Sequence, residues 1–121
     1  MRVRGYGGGA ALRSARFPLV ELRIDGTVRP ATAALLLVTQ DEPSPGLLGI
    51  PQWDLTAQLE SHLPENPEFS VEATTTDGRV FRGQANVAHE TISSSHRGTT
   101  WRLELSGIGP LDGLDPELDL H

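Results

Sequence analysis

Four histidines, His62, His89, His96 and His121, are the side chains best suited to move protons or hold a metal near neutral pH. No two of them stand at the close spacing that commonly places a pair of imidazoles on one metal ion. The chain has no cysteine, which removes disulfides, thiolate ligands and a cysteine nucleophile. Ser93-Ser94-Ser95-His96 sets hydroxyls beside an imidazole, the residue types of an activated nucleophile. No Gly-x-Ser-x-Gly elbow frames them, and runs of serine serve turns, where short hydroxyl side chains satisfy loop backbone. Glu60, Glu72 and Glu90 belong to a pool of 16 acids from which carboxylate pairs can be drawn at will, so spacing names no general base. The glycines at 7–9 neither follow a strand nor open a helix, and no phosphate-cradling loop is present. No catalytic residue, metal or cofactor is expected on these grounds.

Charge is the stronger signal. The net charge is −6, yet the first 35 residues hold six arginines against only Glu21 and Asp25. Residues 1–16 carry Arg2, Arg4, Arg13 and Arg16 and no acid, whereas Asp112, Asp115, Glu117 and Asp119 crowd the other end. A flexible basic arm over 1–16, a single β-rich domain over 17–111 and an acidic tail over 112–121 are expected. The arm, with Tyr6, has the residue types for weak binding of anions or single-stranded nucleic acid, but the overall acidity argues against a nucleic-acid footprint. Arg13 and Arg16 before Phe17 invite comparison with the paired-arginine arm of cyclic-dinucleotide-binding PilZ domains. They stand one residue too close together, and no Asp/Asn-x-Ser-x-x-Gly motif follows. No apolar stretch approaches the ~20 residues of a membrane span, and the start lacks a signal-peptide core, so a cytoplasmic protein with no membrane partner is expected.

The elements that must position these groups read as strands. Val20, Leu22 and Ile24 alternate with charged residues up to Asp25-Gly26, a turn dipeptide. Thr32 to Thr39 is apolar at both alternations, as in a strand covered on both faces. Residues 41–52 hold three prolines and two glycines, a long loop whose Leu47, Leu48 and Ile50 must dock on the domain or meet a partner. Trp53, Leu55, Ala57 and Leu59 alternate as a strand, although one short helix over 54–63 also fits. Phe69 to Thr74 and the strand from Arg79 form a hairpin about Asp77-Gly78, suited to a type I′ turn. The outgoing strand places Phe81, Gly83, Ala85, Val87 and His89 on one inward face, with Gly83 marking a bulge or a close approach. Trp101, Leu103 and Leu105 point inward from a last strand that Gly107, Gly109 and Pro110 bring to an end. The expected fold is mainly β, a small antiparallel β-sandwich or partly open β-barrel.

Three functional readings follow. The favoured one is a non-catalytic interaction or assembly domain that meets a protein partner or copies of itself. It would use the basic arm (Arg2, Arg4, Arg13, Arg16), the apolar loop (Leu47, Leu48, Ile50, Trp53) and the acidic tail (Asp112, Asp115, Glu117, Asp119). The segments DGRVFRGQANV (77–87) and TTWRLELSGIGPL (99–111) resemble the closing strands of phage tail-tube subunits. That resemblance rests on general hairpin chemistry and assigns no family, adding weight only to an assembly role. The second reading is a small-ligand binder or compact enzyme with Trp53, Phe81, His89 and Trp101 around an interior pocket. The third is the anion or single-strand binder built on the arm.

Overall fold

A computed structural model describes residues 13–42 and 44–121. Arg2, Arg4 and Tyr6 lie outside the described residues. Among the described residues, seven antiparallel strands form one sheet: β1 (Arg13–Ile24), β2 (Thr27–Val28), β3 (Ala31–Gln40), β4 (Gln52–Leu59), β5 (Phe69–Thr75), β6 (Val80–Ser95) and β7 (Gly98–Asp112). A single turn of helix, α1 (Pro116–Asp119), follows. The order is β2-β1-β3-β4-β7-β6-β5, and β5 pairs in turn with β1, so the circuit of hydrogen bonds returns to its start. β1 serves both sides of the closure: residues 13–18 pair with β3 and residues 19–24 with β5. This is a partly open barrel, mainly β as expected.

Of the two readings of residues 53–63, the favoured strand is the one that forms, as β4, with Trp53, Leu55, Ala57 and Leu59 all buried on its inner face. A helix would scatter these four side chains around its surface. The interior is filled by Leu22, Ile24, Leu36, Val38, Leu55, Phe69, Phe81, Leu103 and Leu105, each essentially inaccessible. Val20, expected inward, is instead exposed because the β1–β5 register shifts between Leu19 and Glu21. One bulged residue moves every later side chain to the opposite face. On β3 the outer Leu35 and Leu37 are half-buried, less covered than expected.

Two turns exchange the roles expected of them. Asp25 and Gly26 both have positive φ, 50° and 81°, and link Ile24 to its partner Thr27, the geometry of a type I′ hairpin. At Asp77-Gly78 only Gly78 has positive φ, and the Thr75 and Arg79 backbones bond across a longer loop. The Thr75 hydroxyl donates to the Asp77 carboxylate and also accepts from the Arg79 amide, so Thr75 dictates this turn. The same hydroxyl is the main reason that the Asp77 carboxyl is held below its ordinary range.

β7 does not stop at Gly107 but runs to Asp112, and the tail then folds back across that end of the barrel. Leu114 packs against the core and Leu120 is only 2% exposed. Asp115 caps α1 by accepting from the amides of Glu117 and Leu118, and backbone bonds join His121 to Ser14 in both directions. Arg13 and Arg16, expected in the arm, therefore belong to a strand whose start is closed by the C-terminal residues.

Candidate interaction surface

Strand registers sort the loops to two ends of the barrel. The 41–51 loop, the 76–79 turn, the start of β1 and the tail share one end. At the other lie the Asp25-Gly26 turn, the 60–68 connection and the far half of the β6–β7 hairpin.

At this second end the hairpin outgrows the barrel. β5 pairs with β6 only as far as Ala85, whereas β6 runs on to Ser95. β4 accompanies β7 only from Trp101 onward, and the rungs from Ser93↔Thr100 to Ser95↔Gly98 have no third strand. All residues from Thr91 to Thr100 are exposed, and Ile92 shows 58% of its surface. A side-chain bond between Ser94 and Thr99 at 3.2 Å ties the two strands together. Ser95 Oγ accepts from the Arg97 amide, so two of the three serines serve hairpin geometry. On the side away from β7, the edge of β6 beyond Ala85 has no partner strand among the described residues.

Beside that edge the 60–68 connection overhangs a cleft of about 430 Å³, lined by His62 to Pro67, Val87 and Glu90. His62 Nδ1 lies 3.0 Å from a Glu90 carboxylate oxygen, and its ring sits 6.4 Å from that of Trp101. Sequence alone offers no route to this pair, since 28 positions separate the two residues and the contact depends on the strand register. The pair provides a proton acceptor oriented by a carboxylate, but no hydroxyl or thiol lines the cleft beside it. No group of three metal-ligating side chains is found among the described residues.

The four residues expected around an interior pocket are not gathered at this cleft. Trp53 and Phe81 are core residues and Trp101 is half-buried. His89, expected inward, is exposed together with Asn86, Val87 and Ala88, because this stretch of β6 lies beyond its last pairing with β5. None of these four residues lines the cleft.

At the opposite end the apolar loop splits. Trp53 is buried, and its Nε1 donates to the Gly109 carbonyl at 3.3 Å. Leu47, Leu48 and Ile50 stay outside, Ile50 at 81% exposure. The loop is nonetheless held at its base by buried Gln40, whose amide donates to the Gly49 carbonyl while its oxygen accepts from Arg13. Ser44 and Leu47 close a tight turn through Gly46. The leucines and isoleucine are thus presented on an anchored loop.

The acidic tail is largely engaged with its own domain. Arg79 donates to both oxygens of Asp119 at 2.7 Å and to the Gly113 carbonyl at 3.1 Å. Its guanidinium lies over the rings of Phe81 and Phe17, 4.8 and 5.3 Å from their centroids. The paired hydrogen bonds from Arg79 hold the Asp119 carboxyl below its ordinary range, and Asp119 in turn raises the guanidinium. Arg13 reaches the Pro116 carbonyl, while Asp112 and Glu117 point to solvent without an ion pair among the described residues. Arg16 is exposed on β1. No helix among the described residues is long and apolar enough to cross a membrane. No protein-family model, curated protein or solved structure matches the chain.

Proposed function

We propose that this protein is a non-catalytic assembly domain that associates with copies of itself through the two ends of its barrel. The observation that carries this reading is the far half of the β6–β7 hairpin, which continues past the last pairing of β6 with β5 and ends in a ribbon, residues 91–100, that is exposed on both faces. A two-stranded ribbon in water is marginal by itself, and an unpaired strand edge is a template for another chain. The apolar loop adds Leu47, Leu48 and Ile50 at the opposite end, a cluster whose burial would supply the larger share of an interface. Different surfaces at opposite ends suit head-to-tail contact, which builds rings or open stacks.

Sedimentation velocity of the full chain across a range of concentrations tests this. Self-association is expected, weakened at least about tenfold by Ile92→Asp or by Leu48→Asp with Ile50→Asp, with circular dichroism unchanged. A monomer at every concentration, or an oligomer indifferent to both sets of substitutions, would overturn the proposal.

A further inference from the structure

The cleft beside the open edge of β6 has a distinct chemical character. Its lining carries two carboxylates, Glu65 and Glu90, and no arginine, alongside the apolar surfaces of Leu63, Pro64, Pro67 and Val87. Glu90 already faces His62, whereas Glu65 makes no ion pair among the described residues. An extended segment entering here would find free backbone groups along β6, apolar contacts beneath the 60–68 connection and negative charge at its sides. Those features call for a short, extended and cationic segment.

The chain itself contains such a segment outside the described residues. Residues 1–12 carry Arg2 and Arg4 and no acid, and in a strand these two arginines share one face with Val3 on the other. Arg13 begins β1 at the end of the barrel opposite the cleft. An arm leaving that end points at the cleft end of the next copy in a head-to-tail arrangement. Resting on the assembly reading above, we propose that the arm around Arg2–Arg4 of one copy adds as a strand to the edge of β6 beyond Ala85 in its neighbour. There its arginines would meet Glu65 and Glu90. In the acidic tail, by contrast, Asp119 is already committed to Arg79.

A charge swap in the full chain provides the test. Arg2→Glu with Arg4→Glu, and separately Glu65→Arg with Glu90→Arg, should each weaken self-association at least about tenfold in sedimentation velocity. Mixing the two variants, or combining all four substitutions in one chain, should restore it to within about threefold of the parent. Restoration requires both variants to be folded, so misfolding cannot imitate it. Self-association that ignores both reversals would overturn the arm-to-cleft contact while leaving the assembly reading in place. A chain that is monomeric throughout would remove both. A monomer in which the arm reversal shifts the Val87 and Glu90 amide resonances would place the arm on its own barrel, overturning the exchange between copies.

Discussion

Trp53 occupies the space that a side chain at Gly107 would need: a Cβ built on Gly107 falls 2.3 Å from Cε2 and Nε1 of the indole. Gly83, on the neighbouring strand, stands in the same relation, its notional Cβ lying 2.7 Å from Cζ2 of Trp53. The largest side chain of β4 is therefore accommodated by two positions without side chains on β6 and β7. Gly107→Ala should cost about 3 kcal/mol, and Gly83→Ala somewhat less, as overpacking against a rigid buried ring. Urea denaturation measures both. Trp53→Leu placed in the Gly107→Ala background should recover part of the loss, because the clash is with the indole itself.

The Arg79–Asp119 contact makes closure of the barrel end sensitive to acid. Because the carboxyl of Asp119 is held below its ordinary range in the folded protein, its contribution to stability is complete above the unfolded value of about 3.9. It is then lost as pH falls from there through the folded value. Asp119→Asn should lower stability at pH 7 by about 1.5–3 kcal/mol and flatten the loss of stability below about pH 4. Thermal melts between pH 7 and 3 compare the two proteins. An unchanged acid limb would show that Asp119 does not govern closure.

Ala33 has a positive φ of 50° at the register shift between Thr32 and Leu35 and is exposed. An alanine in this region costs about 1–2 kcal/mol, while glycine gives back about 0.5–1 kcal/mol through chain entropy. Ala33→Gly should therefore raise stability by about 0.5–1 kcal/mol, the reverse of the usual effect of glycine in a strand. Chemical denaturation reads the sign directly.

Gln40 is buried between the Arg13 guanidinium and the Gly49 carbonyl. Gln40→Leu leaves both without this partner and should cost about 1–3 kcal/mol. Limited proteolysis should also accelerate within residues 44–50, since the loop would lose its anchor while its apolar residues remain exposed.

Alternation along the chain and the turn dipeptides were enough to read a mainly β, antiparallel domain with a hairpin about residues 76–79, because a period of two follows directly from strand geometry. Gly83 was also legible as a place of close approach, since a glycine inside a strand usually makes room for something. The identity of what approaches, Trp53, was not, because it comes from a strand 30 positions away. Burial was misread where distant pairing decides it: Val20 starts an alternation in sequence but sits at a register shift that turns it outward, and His89 continues one on a part of β6 that has outrun its partner β5. Such shifts arise from pairing with distant strands, and the chain carries no local mark of them. The tail gave apolar residues between carboxylates, a pattern equally suited to fraying or docking. Only the tertiary structure, by setting Arg79 over Phe17 and Phe81 within reach of Asp119, made it the cover of one end of the barrel. The His62–Glu90 cleft and the open edge of β6 belong to the same class, since both exist through the lengths to which neighbouring strands pair.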